Sequence, residues 1–292
     1  MRRRALMLVA LWPIALGTPA AQQRPTFRAV SDLVPVHVSV RSGRRLVSGL
    51  AAADFELLDN GVRQQITSVT AETLPVDVTL VVDASGSVIR SLDRFKSDVR
   101  QIGGALNPND EVRLVTFDTS VKQVFPMQPA SRRLPVDEIK IGNMTSLIDA
   151  VTFALARAPR PGRRHLVFVF TDGYDNASML GYQALPALVG HTDVILNVVL
   201  SKVSGVPDSG APTAIDALAA AAARTGGVLY PPSDELQDVV EAFKQTLDAF
   251  RHSYVLYYSP TGVDPSGWHE ISVRVTRPGT YEVQARQKYF GG

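Results

Sequence analysis

The sequence predicts an α/β protein: a doubly wound, mostly parallel sheet with one antiparallel edge strand, joined to a smaller β-sandwich-like unit from its N- and C-terminal flanks. Three observations carry this. Between Pro75 and about His252, near-continuous apolar runs alternate with segments of three- and four-residue apolar spacing, the pattern of strands covered on both faces by helices. Two apolar segments in that region, "EVRLVTFD" and "VKQVFPM", stand too close together for a helical crossover, so one strand there must run antiparallel. On either side, short segments alternate apolar and polar residues between turn signals, as in half-exposed antiparallel sheets.

The chain starts with Arg2, Arg3 and Arg4, the apolar run "ALMLVALWPIALG", and small residues at Thr18-x-Ala20 or Pro19-x-Ala21. This order predicts an export signal over residues 1–21. The run is too short for a membrane span and contains Pro13. No later apolar segment is long enough to span, so the expectation is a soluble mature protein, periplasmic or secreted. Removing the signal takes away three arginines and no acid, which turns the formal charge of +2 into −1 and gives no reason to expect a nucleic-acid partner. With no cysteine, disulfides, thiol chemistry, zinc-thiolate sites and an N-terminal lipid anchor are all excluded.

Residues 28–73 form the N-terminal β segment: "LVPVHVSVR" alternates, "SGRR" turns, "DFELLD" is a strand, Asn60-Gly61 is a hairpin turn, and "QQITSVTAE" returns. So few strands cannot bury a stable core alone and need a partner. The α/β region spans residues 75–252. "VDVTLVVD" is a buried strand, followed by a helix with Val88, Leu92, Phe95, Val99, Ile102 and Leu106 on one stripe, ending at Asn107-Pro108. After the hairpin come a helix over about 146–158, the strand "HLVFVFTDG", a helix near 182–189, and the strand "DVILNVVLS". The alanine-rich helix 214–224 stops at Gly226-Gly227, and the helix from Asp234 to about His252 carries Leu236, Val240, Phe243, Leu247 and Phe250 on one stripe. The arginines of "ARAPRPGRRH" precede a strand and are expected in a solvated loop at the lower end of the sheet. Residues 253–290 return to strands, "SYVLYYSP", "HEISVRV" and "YEVQARQKYF", and are expected to pack with residues 28–73.

In a doubly wound sheet, ligands bind outside the carboxyl ends of the strands, where the topology reverses. Asp83 closes one strand in "LVVDASGSVIR", Asp172 closes another in "VFVFTDG", and Thr145 sits in a loop entering a helix. Taken singly, Ser85, Ser87 and Thr145 read as helix caps and Asp172-Gly173 as a strand-end turn. Ser85 at a strand-to-helix turn also resembles a nucleophile site, but the G-x-S-x-G pattern is absent, and none of His165, His191, His252 and His269 stands in a recognisable base position. A metal cage is the third reading. Residues two apart in an extended loop point the same way, so Asp83, Ser85 and Ser87 can face one hard divalent ion, with the dipole of the following helix directed at the site.

Together, Asp83-Ala84-Ser85-Gly86-Ser87, Thr145 and Thr171-Asp172-Gly173 resemble the metal-ion-dependent adhesion site of the von Willebrand factor A (VWA) domain family, and the flanks resemble exported bacterial proteins of the VWFA-related type. The resemblance implies direct coordination by Ser85, Ser87 and Thr145, with Asp83 and Asp172 contacting the ion directly or through water. It implies Mg²⁺, or Mn²⁺ or Ca²⁺, as cofactor and, as partner, a protein presenting Asp or Glu to complete the shell. The expectation is an adhesion or protein-binding module and not an enzyme. The alternatives are a scaffold with an unused or structural metal site, and a serine hydrolase using Ser85.

Overall fold

A computed structural model of the protein describes residues 33–71, 74–157, 160, 162–201, 213–231 and 239–291. The expected export signal, residues 1–21, and the start of the last predicted helix at Asp234 lie outside them.

The chain enters through β1 (Val34–Ser42), β2 (Arg45–Leu46), β3 (Phe55–Asp59), β4 (Val62–Gln64) and β5 (Ile66–Thr70). The β3–β4 hairpin turns at Asn60 and Gly61, whose φ angles of 46° and 79° are the paired positive values a two-residue turn needs to match strand twist. The expected single return strand "QQITSVTAE" is divided at Gln65: β4 pairs with β3, whereas β5 pairs with a strand from the other end of the chain.

The α/β region follows as β6 (Val76–Asp83), a 3₁₀ segment (Gly86–Ser91), α1 (Leu92–Ala105), β7 (Glu111–Phe117), β8 (Val121–Pro129), α2 (Leu147–Leu155) and β9 (Arg164–Thr171). It continues with α3 (Leu185–Gly190), β10 (Ile195–Leu200), α4 (Ala214–Thr225), β11 (Leu229–Tyr230) and α5 (Val239–Arg251). The sheet order is β11-β10-β9-β6-β7-β8, parallel throughout except for β8, which runs antiparallel to β7 at the edge. Every residue of β6, β9 and β10 is buried, which is why these runs read as continuously apolar. Val78, Leu80 and Val82 alternate onto one face beneath Phe95, Val99 and Ile102 of α1 and Phe243, Leu247 and Phe250 of α5. Val81, Val167, Val169 and Leu196 face the other layer, against Leu147, Ile148 and Val151 of α2, Leu185 of α3 and Leu218 of α4. Thr213 and Asp216 close a reciprocal capping box on α4.

Two expectations are corrected. The helix after β6 does not begin at the serines, because a 3₁₀ segment intervenes and the α-helical ladder starts only at Leu92. The helical end nearest Ser85 is thus the 3₁₀ turn at Gly86 and not the first turn of α1. The arginines before β9 are also not a solvated loop. Arg160 and Arg163 both bind the Asp77 carboxylate at 2.5 Å, and Arg160 reaches Glu111 at 2.8 Å. Arg164 is buried, donating to Phe250 O and Ser253 Oγ and lying over the Phe250 ring. A buried carboxylate at the foot of β6 needs these cations, so the segment folds inward.

The last strands are β12 (Tyr254–Tyr258), β13 (Gly267–Val275), β14 (Glu282–Ala285) and β15 (Lys288–Gly291). β14, β1, β12 and β5 make one sheet, with β2 paired to β1, and β15, β13, β3 and β4 make a second. Val36, Val38, Leu57, Leu256 and Tyr258 fill the space between them, so the two flanks share one core. "YEVQARQKYF" is divided as the β4–β5 segment is, switching sheets at Arg286-Gln287. Between the sheets, Asp59 is fully buried and accepts from Tyr258 and Tyr289 and pairs with His269.

Candidate functional site

The sheet order reverses around β6, with β7 on one side and β9 on the other, and α1 and α2 lie on opposite faces. The crevice beyond the carboxyl ends of β6 and β9 is thus the topological switch point. Asp83 is the last residue of β6 and Asp172 follows directly on β9.

Three loops meet there and are tied to one another by hydrogen bonds. The first, after β6, joins the second through Gly142 N to Ala84 O at 2.8 Å. The second joins the third through Thr145: its N–H donates to Asn176 Oδ1 at 2.8 Å, and its carbonyl accepts from Asn176 N and Ala177 N at 3.0 Å each. The third joins the first through Thr171 Oγ1, which donates to Asp83 Oδ2 at 2.9 Å. Ser146 fastens the second loop to β7, donating from N and Oγ to Asp118 O at 2.8 and 2.6 Å. Residues more than eighty apart in sequence are held in one rigid rim.

Asp83 is 0% exposed, Ser85 1%, Thr145 3% and Asp172 5%, while Ser87 is open to solvent. Asp83 Oδ1 accepts from Ser85 N at 2.9 Å, and the Ser85 and Ser87 hydroxyls lie 2.9 Å apart, so the two serines turn toward the same side. Asp172 Oδ1 accepts from Tyr174 N at 3.2 Å. Burial pushes the Asp83 carboxyl above its ordinary range; hydrogen bonds from Ser85 and Thr171 offset part of the rise, and the like charge of Asp172 adds to it.

The charge balance is unusual for this molecule. Elsewhere buried carboxylates are matched by bases: Asp77 by Arg160 and Arg163, Asp110 by Arg251, Asp118 by Lys122, Asp59 by His269. Among the described residues, no lysine, arginine or histidine pairs with Asp83 or Asp172. Two like-charged buried groups without a base are costly unless a cation neutralises them. The donor set of two carboxylates and three hydroxyls is all oxygen and suits a hard divalent ion. It holds only two carboxylates, in keeping with the finding that no group of three or more His, Cys, Asp or Glu side chains converges among the described residues.

Residues 77–199 match the von Willebrand factor type A domain. The matched segment runs from within β6 to Val199 in β10 and takes in all five predicted site residues. Its solved structural neighbours include the conserved hypothetical protein BatB from Bacteroides thetaiotaomicron, 16% identical over 60% of this chain and 98% of that chain, with a TM-score of 0.46. A von Willebrand factor type A protein from Catenulispora acidiphila is 11% identical over 90% of this chain and 75% of that chain, with a TM-score of 0.49. The ArnB paralog VWA2 from Sulfolobus acidocaldarius is 12% identical over 86% and 75%, with a TM-score of 0.48. No curated protein matches the chain.

Sequence reasoning did not single out Thr171 or Asn176 as rim residues, although Thr171 adjoins Asp172 and was visible in the same motif. The histidines lie elsewhere: His165 is buried against Thr79 Oγ1 at 2.7 Å and His269 is in the sandwich core.

Proposed function

We propose that the protein is a metal-dependent protein-interaction module. A divalent cation, Mg²⁺ or else Mn²⁺ or Ca²⁺, would be held by Ser85, Ser87 and Thr145 directly and by Asp83 and Asp172 directly or through water. When bound, the ion supplies an electrophilic position for one further oxygen ligand, and the partner's Asp or Glu carboxylate fills it. The observation that supports this reading is a pair of buried, neighbouring carboxylates, Asp83 and Asp172, without a base partner among the described residues, beside the paired Ser85 and Ser87 hydroxyls at the switch point of the sheet. The type A match supports it, since such domains generally serve protein interaction.

The Ser85 hydroxyl is bonded to Ser87, and no histidine lies among its hydrogen-bond partners in the described residues, which weighs against a histidine-assisted Ser85 nucleophile. Export to the periplasm or beyond belongs to the same proposal and rests on residues 1–21; among the described residues no helix is long and apolar enough to cross a membrane.

The test is calorimetric titration of Mg²⁺ and Mn²⁺ into wild type and Thr145→Ala, followed by capture from an envelope extract with metal and with chelator. Metal heat lost in the variant, and a partner retained only with metal, is the expected result. A partner retained equally under both conditions would transfer the function to the scaffold.

A further inference from the structure

A cavity of about 240 Å³ lies between the last turns of α5, the first half of β10, β11 with the residues before it, and strands β1 and β14 of the sandwich. It sits toward the amino end of β10, at the opposite end of the sheet from the rim. Its volume falls just below the range usual for drug-sized ligands and suits a smaller organic molecule.

The cavity is one-sided in charge. Arg41 lines it, and no Asp or Glu does. Arg164 stands behind it, with its guanidinium 3.8 Å from the centroid of the Phe250 ring, and donates to Ser253 Oγ at 2.8 Å and His37 Nδ1 at 3.0 Å; all three partners are lining residues. Arg164 is only 6% exposed, and burial draws it down to about 10, so it remains charged at neutral pH. Among the described residues no carboxylate pairs with Arg41 or Arg164, whereas Arg160, Arg163, Arg251 and Arg286 each have one. A buried cation without a counter-charge is costly, and an anion brought beside it removes the cost.

The wall also holds unmet donors. Asn197 is 1% exposed, and its Oδ1 accepts from Val228 N at 3.0 Å. That bond fixes which way the amide faces and leaves Nδ2 buried without a partner, as Arg164 Nε is. Arginine can only donate, so His37 Nδ1 accepts and the ring proton sits on Nε2 as a further donor. Ile195, Val228, Ala249 and Phe250 supply an apolar surface beside these groups.

We propose that this cavity binds a small organic carboxylate with a compact apolar body. The carboxylate accepts from Asn197 Nδ2 in the field of Arg41 and Arg164, and the body lies against Phe250 and Ile195. An inorganic anion would leave the apolar surface unused, and a neutral apolar molecule would leave the donors unmet.

The test is a ligand-observed NMR titration of the full chain with benzoate and with its uncharged analogue benzamide. Chelator is present throughout, so that no cation at the rim offers benzoate a second seat. Benzoate should bind with a Kd of about 1 mM or tighter, within reach of a ligand of so few atoms, and benzamide at least about tenfold more weakly. Ala249→Phe fills the cavity without changing charge and should abolish binding. Asn197→Asp keeps the acceptor for Val228 N but puts a carboxylate in place of the free amide, and should weaken benzoate at least about tenfold. Arg41→Gln changes a partly exposed side chain and should weaken benzoate about threefold, which keeps the proposal open to refutation if Asn197→Asp does not fold. No benzoate binding to wild type up to about 10 mM, equal affinity for benzamide, or an affinity unmoved by Ala249→Phe and Arg41→Gln would overturn the proposal and leave a cavity that holds only water.

Discussion

Replacing Asp83 by Asn should change the stability of the protein in opposite directions with and without metal. Asn is nearly isosteric, its Oδ1 can still accept from Ser85 N, and its amide can donate to the second lone pair of Thr171 Oγ1, whose first accepts from Gly173 N at 3.0 Å, once the Thr171 O–H turns away from residue 83. What is removed is a fully buried charge with Asp172 as its like-charged neighbour. In chelator the substitution should therefore stabilise, by about 1–2 kcal/mol for one uncompensated buried charge. In Mg²⁺ at a hundredfold excess over the dissociation constant, the wild type should gain about 2.7 kcal/mol that the variant largely forfeits. The order of stability should thus reverse between the two buffers, and thermal melts resolve it, since each kcal/mol moves the midpoint by about 2–4 °C in a chain of this size. A variant less stable than wild type in chelator, or a wild type whose midpoint ignores Mg²⁺, would refute the charge argument.

Three other outcomes are expected. Tyr258→Phe removes the 2.8 Å donor from the buried Asp59 carboxylate and should cost about 1–3 kcal/mol, read as a lower urea midpoint with an unchanged slope; an unmoved midpoint would mean that Tyr289 and His269 suffice. Gly227→Ala would set a Cβ 1.8 Å from the Leu196 carbonyl oxygen beside β10, an overlap that only a backbone shift can relieve. Soluble expression should fall sharply, and a melting curve like that of wild type would count against the packing described at this edge. His165 is held down to about 4, first by burial and then by the nearby Arg113 charge, so the unfolded chain takes up a proton between pH 6.5 and 4 that the folded chain refuses. The stabilisation is full above pH 6.5 and is lost as pH falls through that window, to a total of about 3 kcal/mol, and His165→Gln should flatten the profile measured by denaturant titration across it.

The parts of the molecule legible in the sequence are those governed by local periodicity. Strands buried on both faces have no polar side to show, so β6, β9 and β10 appear as unbroken apolar runs, and the helical stripe of α5 marks the face laid on them. Asn60-Gly61 announced its hairpin because few residue pairs accept two positive φ angles. The oxygen-bearing side chains of the candidate site were visible as residue types at strand ends and in the loops that follow them. What local pattern cannot carry is the choice of neighbour. Gln65 and the Arg286-Gln287 pair look like strand interior, yet the chain changes sheets at each, because pairing is decided by which edge is free after distant strands have docked. Arg160, Arg163 and Arg164 have the composition of a solvated loop, and only the buried carboxylate of Asp77 and the end of α5 draw them inward. The same holds at the rim. The sequence determined that Asp83 and Asp172 end two strands; tertiary structure alone decided that, among the described residues, neither meets a base, because the cost of a buried charge depends on residues remote in sequence.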